Sequence, residues 1–214
     1  MADVAIIVTG SAPLAAVAVA TLPRDAVVVA ADGGLDRALA LGLDVDVVLG
    51  DLDSVSPEAL GAAEAAGARV VRHPSAKDET DLELALDEAV RLGAKRVVVV
   101  ASAEGRLDHL LGSLLLLGAE RYAAVEIDAL VGDTLVHVVR GERSILGRRG
   151  GLVSLLALGG PARGVRTEGL EYRLEGETLE PGSSRGISNV FAADEARITL
   201  EAGVVLAVRP GAAG

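Results

Sequence analysis

From Val4 to about Leu135, short aliphatic runs alternate with longer stretches whose apolar residues recur at helical spacing. This is the pattern of parallel strands covered on both faces by crossover helices. The runs predict strands at Val4–Val8, Ala26–Ala30, Val45–Leu49, Arg69–Arg72, Arg96–Val100 and Val125–Leu130. The stretches between them predict helices at Leu35–Leu41, Pro57–Ala66, Asp81–Leu92 and Leu107–Gly118. In the third helix Leu82, Leu84, Leu86, Ala89 and Val90 predict one buried face. The uncharged stretch Val4–Pro23 approaches the length of a membrane span. Thr9-Gly10-Ser11 and Pro13 interrupt it, however, and Asp3 stands where a signal peptide needs basic residues, so it reads as strand, turn and short helix. No membrane association and a cytoplasmic location are therefore expected.

After about Asp133 the helical spacing fades. Turn clusters at Gly147–Gly151, Gly159–Pro161 and Pro181–Ser184 separate short runs such as Leu152–Leu158, Arg197–Leu200 and Val204–Val208. The expectation is an α/β fold in two parts: a parallel-sheet α/β domain over residues 1–134, then an antiparallel β-sandwich over residues 135–214.

Composition narrows the chemistry. With no cysteine, disulfides, thiolate metal sites and cysteine nucleophiles are excluded. The three histidines lie far apart, without metal-ligand spacing. A formal charge of −11 argues against binding the nucleic-acid backbone. Aromatic residues are limited to Tyr122, Tyr172 and Phe191, so the core is aliphatic and a flat ligand has few stacking partners.

Candidate chemistry sits where predicted strands end. Gly50-Asp51-Leu52-Asp53-Ser54 offers two carboxylates at i and i+2, on one side of an extended chain. That pair suits Mg²⁺ carrying phosphate oxygens; it also suits a solvated loop with Ser54 capping the next helix. Ala31-Asp32-Gly33-Gly34 permits close backbone approach to a ligand, or a tight turn with Asp32 as helix cap. His73–Asp81 holds Lys77, one of two lysines in the chain, with Thr80 or Asp81 as a possible N-cap. Gly105-Arg106-Leu107-Asp108-His109 offers an arginine that can grip phosphate or pair with the aspartate at a helix start. Neither a P-loop nor a dinucleotide fingerprint occurs. No nucleophile–base dyad is evident either, which favours direct phosphoryl-type transfer by positioning and charge neutralisation.

These segments, with Gly169-Leu170-Glu171-Tyr172 and Gly186-Ile187-Ser188-Asn189, resemble the ordered motifs of the thiamine pyrophosphokinase (thiamine diphosphokinase) family over nearly the whole chain. The resemblance implies an ATP:thiamine diphosphotransferase in which the thiamine hydroxyl attacks the β-phosphorus of ATP and AMP leaves. It implies Mg²⁺ on Asp51, Asp53 and Asp81, and ATP held by Lys77, Thr80, Arg106, Asp108 and His109. Asp32 would lie near the reacting hydroxyl or the metal, and Tyr172, Ser188 and Asn189 would hold thiamine. A homodimer with interfacial active sites is also implied. Read from the residues alone, Tyr172 fits a stacking face or a core position, and Ser188 and Asn189 fit a turn. A diphosphokinase acting on a pterin-type alcohol and a non-catalytic thiamine sensor are the competing functions.

Overall fold

The computed structural model describes residues 3–10 and 22–212, so the short helix expected after Thr9 lies outside the described residues. The chain divides into two compact units, Met1–Ser113 with Ala124–Gly132, and Leu114–Ala123 with Asp133–Gly214.

In the first unit the described strands are β1 (Val4–Thr9), β2 (Val27–Ala31), β3 (Val47–Gly50), β4 (Arg69–Arg72), β5 (Arg96–Ala101) and β6 (Glu126–Val131). The helices are α1 (Gly34–Ala40), α2 (Pro57–Ala65), α3 (Asp81–Arg91) and α4 (Leu107–Leu117), which begins in this unit. Strand order is β6-β5-β1-β2-β3-β4, with every pair parallel. The central strands are buried along almost their whole length, as the unbroken Val/Ile/Ala runs require. Helix α3 buries Leu82, Ala85, Leu86 and Ala89; Val90, expected on the buried face, is 41% exposed. Thr80, not Asp81, caps α3, its Oγ1 accepting from the Glu83 N–H at 3.2 Å.

The sequence order reverses between β1 and β5, and open α/β sheets bind ligands beyond the carboxyl ends of their strands near such a reversal. At that point lies Arg37 of α1, 4% exposed, donating to the carbonyls of Thr9 (3.0 Å) and Ala101 (3.4 Å). Burial lowers its pKa, and its Nε has no partner among the described residues.

The second unit is antiparallel. Its strands are β7 (Thr134–Val139), β8 (Glu142–Leu146), β9 (Leu152–Ala157), β10 (Ala162–Glu168), β11 (Glu175–Leu179), β12 (Asn189–Val190), β13 (Glu195–Thr199) and β14 (Val205–Arg209). They form two layers, ordered β12-β9-β14-β7 and β11-β10-β13-β8. Val153, Leu155 and Val205 of the first layer share one core with Ile145, Val165 and Ile198 of the second, so the unit is the expected β-sandwich. Phe191 is in that core and Tyr122 is also buried, whereas Tyr172 is 58% exposed. No helix of the described residues is long and apolar enough to cross a membrane.

Candidate active site

Asp32 follows β2 with φ 47°, a left-handed conformation that costs a side-chain-bearing residue roughly 1–3 kcal/mol. Its N–H still donates to Leu49 O at 2.8 Å and its carbonyl accepts from Leu35 N at 3.0 Å, which fixes the turn into α1. Asp32 does not cap that helix; Gly33 holds the cap position, without a side-chain bond. Gly34 is obligatory, because a Cβ there would lie 2.0 Å from Val8 O. Gly50 plays a similar part at the end of β3, with φ 136° and Asp32 Cβ 3.1 Å from where its own Cβ would be.

The second segment is the loop after β3. Leu52 has φ 63°, rare for a leucine, and buries its side chain against Ala30, Leu35, Val48, Ala59 and Ala63. Burying a leucine contributes about 2 kcal/mol, enough to offset strain of that order. With Leu52 turned inward, its neighbours Asp51 and Asp53 converge outward. One carboxylate oxygen from each of Asp32, Asp51 and Asp53 lies within 4.8 Å of the other two. Asp32 Oδ1 is buried with no hydrogen-bond partner among the described residues. The Ser54 hydroxyl donates to Asp53 Oδ1 at 2.9 Å and does not cap α2; that cap is Ser56.

The Ser75 hydroxyl, bonded to Asp51, is the main influence holding that carboxyl below the usual aspartate range. Desolvation opposes it, while the Asp53 N–H and the Lys77 charge assist it. Because the folded pKa is depressed, Asp51 stays ionised through neutral pH and into the acid range. It loses its charge only as pH falls through that lowered value. Ser75 has no sequence signal of its own; only its position inside His73–Asp81 points to it.

Asp81 does not join the three-carboxylate group. It accepts at 2.7 Å from Nζ of Lys77, in the loop before α3, with the Lys77 side chain 13% and that of Asp81 36% exposed. Arg106 and Asp108 form a two-bond pair of 3.2 and 2.6 Å at the start of α4. Each stabilises the charged form of the other, Asp108 lowered and Arg106 raised. His109 is exposed beside them. The fork of Arg106 is thus preformed but spent on Asp108, and both are open to solvent.

In the second unit Tyr172, Ser188 and Asn189 line an open pocket of about 540 Å³ with Arg185 and Ile187. Ser188 is left-handed, φ 56°. Asn189 is buried; its Oδ1 accepts from the N–H groups of Tyr172 (3.0 Å) and Val190 (2.9 Å), and its Nδ2 donates to Tyr172 O at 2.7 Å. Its amide is therefore committed to holding the Tyr172 backbone, so of the three expected thiamine contacts Tyr172 and Ser188 are the ones exposed in the pocket. Asn189→Ala should leave buried polar groups unpaired and lower stability by about 1–3 kcal/mol. Urea denaturation checks this, and an unchanged midpoint would contradict the bonding scheme.

Two family models match these same regions. The thiamin pyrophosphokinase catalytic domain matches residues 20–129, containing all three clustered carboxylates, and the thiamin pyrophosphokinase vitamin B1 binding domain matches residues 136–205. The chain belongs to the thiamin pyrophosphokinase family. It is 28% identical over 174 residues to thiamine pyrophosphokinase 1 of Oryza sativa subsp. japonica, covering 75% of this chain and 64% of that one. It thus spans less than two thirds of that relative. To the thiamine pyrophosphokinase of Bacillus subtilis (strain 168) it is 24% identical over 182 residues, 82% of this chain and 85% of that one. Among solved structures, the Bacillus subtilis thiamine pyrophosphokinase superposes with a TM-score of 0.82 at 23% identity, covering 96% of this chain and 97% of that one. The Candida albicans thiamin pyrophosphokinase gives 0.77 at 15% identity, covering 96% and 89%. At these identities the superpositions speak for the fold.

Proposed function

We propose that this protein is an ATP:thiamine diphosphotransferase, a thiamine diphosphokinase acting in the cytoplasm. The observation that carries the reading is the convergence of Asp32, Asp51 and Asp53 at the carboxyl ends of β2 and β3. Three carboxylates this close repel unless a cation lies among them, and an all-oxygen donor set with one buried oxygen unpartnered among the described residues suits Mg²⁺. When bound there, Mg²⁺ supplies charge neutralisation to the polyphosphate of ATP. The bond from Ser75 favours the charged form of Asp51 that this task needs.

Lys77, oriented by Asp81, faces the polyphosphate as a point charge, and Arg106 exchanges Asp108 for a phosphate of ATP. Thr80 fixes the start of α3 beneath Lys77, and His109 follows Arg106 into the nucleotide site. Tyr172 offers its exposed ring to the thiamine pyrimidine and Ser188 a hydroxyl, with Asn189 acting through the Tyr172 backbone. The thiamine hydroxyl attacks the β-phosphorus and gives up its proton to solvent water, the bond from the β-phosphorus to the α,β-bridging oxygen breaks, and AMP departs with that oxygen. The protein works as a homodimer with active sites at the subunit interface; light scattering should give twice the 21.6 kDa chain mass.

The role given to Asp81 separates it from the clustered acids. Asp81→Asn should raise the KM for ATP about tenfold, roughly 1.4 kcal/mol, while nucleotide-free Mn²⁺ affinity stays within about twofold of wild type. Weaker Mn²⁺ binding without nucleotide would make Asp81 a metal ligand. The reaction itself is tested by incubating ATP, thiamine and Mg²⁺ and detecting products by mass. Thiamine diphosphate with equimolar AMP, both absent without Mg²⁺, supports the proposal. Thiamine binding without AMP would favour a sensor, and turnover only with a pterin-type alcohol would reassign the acceptor.

A further inference from the structure

The carboxylate cluster is assembled from two separate segments: Asp32 from the turn between β2 and α1, and Asp51 and Asp53 from the loop between β3 and α2. On the strand side the pairing of β2 with β3 and the bond from Asp32 N–H to Leu49 O join them. On the far side Leu52 packs against Leu35, and one polar side chain adds a tie. Asp36, four residues after Asp32 on α1, accepts from the Ser56 hydroxyl through Oδ1 at 2.6 Å and from the Ser56 N–H through Oδ2 at 3.2 Å. Ser56 ends the Asp51–Val55 loop and caps α2, its Oγ accepting from the Ala59 N–H at 3.2 Å. The loop is thus fixed at Gly50, whose carbonyl receives the His73 N–H at 2.9 Å, and again at Ser56. Between those points it carries the left-handed Leu52 and both acids.

Mutual repulsion among Asp32, Asp51 and Asp53 drives the two segments apart, so the spacing needs a tie that bears load without entering the cluster. We propose that Asp36 is a positioning residue that, through Ser56, sets the separation of Asp51 and Asp53 from Asp32 and thereby the affinity of the cluster for a divalent cation. This rests on reading the cluster as a cation site. The two-oxygen grip matters: an asparagine keeps one acceptor for the Ser56 hydroxyl but loses the second, and an alanine loses both. The next residue, Arg37, bonds to Thr9 and Ala101, so α1 is anchored independently of Asp36 and should stay in place when Asp36 is changed.

The test is Mn²⁺ binding by electron paramagnetic resonance on the full chain without nucleotide, with thermal midpoints recorded alongside. Asp36→Ala and Ser56→Ala should each weaken Mn²⁺ binding by roughly 10–100-fold, the range for residues that orient metal ligands from behind. Asp36→Asn should fall between wild type and Asp36→Ala. The double variant should bind no more weakly than Asp36→Ala, which already loses both bonds, whereas Ser56→Ala keeps the bond from its N–H. Ala38→Gly, which loosens α1 without touching Ser56, should lower the thermal midpoint and keep wild-type affinity. Affinity within about twofold of wild type in Asp36→Asn and Asp36→Ala would overturn the proposal, as would an equal loss in Ala38→Gly. If Asp36→Ala does not fold, Asp36→Asn decides. Wild-type protein that binds no Mn²⁺ would instead overturn the cation reading, and this proposal with it.

Discussion

Asp53→Asn should lower thiamine diphosphate formation by roughly 10²–10³-fold, the usual cost of losing one preorganised charge-stabilising group. Asp53 is exposed, and its side chain receives one bond, from the adjacent Ser54. The fold does not depend on it. Removing one of three mutually repelling charges should leave the metal-free thermal midpoint unchanged or higher, while the rise on adding Mg²⁺ shrinks. Activity and stability thus move in opposite directions, as expected where a site holds like charges for function. Steady-state rates and melting curves with and without Mg²⁺ check this. Near-wild-type turnover would remove Asp53 from the site, and a collapsed midpoint would make its role structural.

The largest effect on stability is expected at Gly34. Any side chain there places its Cβ 2.0 Å from Val8 O and 2.7 Å from the Val8 carbonyl carbon, so α1 must move off β1. Gly34→Ala should cost about 4 kcal/mol or more, a large share of the ~5–15 kcal/mol that holds a typical domain. Gly112→Ala in α4 is the matched contrast. A Cβ there meets no described residue within 4 Å and the glycine is helical, so stability should rise by about 0.5–1 kcal/mol. Chemical denaturation of the two variants distinguishes close packing from a general intolerance of glycine replacement. Equal midpoints would contradict the packing described for α1.

The first unit was legible because both periods are strong in it: β1, β2 and β5 are continuous aliphatic runs, and α3 has an amphipathic repeat. In the second unit the named apolar runs mark β9, β13 and β14 but not β7, β8 or β10–β12. On β10 and β11 the exposed Arg163, Arg166, Glu168 and Glu175 interrupt the apolar residues, so no apolar run marks them. The acids at strand ends were visible because sheet topology gathers whatever follows a parallel strand. Which of them meet was not visible. Spacing made Asp51 and Asp53 a pair, but choosing Asp32 over Asp81 as the third member depends on the left-handed turn at Asp32 and on Lys77 engaging Asp81. The bonds from Asp36 to Ser56 and from Arg37 to Thr9 and Ala101 join positions 20 to 64 residues apart, which no local pattern encodes.

The central claim is transfer of an intact diphosphoryl group from ATP to thiamine. It is tested most directly by following two labels through one turnover, ATP carrying ³²P at the α position in one reaction and at the γ position in another. The account predicts that all α label appears in AMP and all γ label in thiamine diphosphate, with none released as inorganic phosphate. Label from the γ position in thiamine monophosphate, with ADP as the other product, would contradict it.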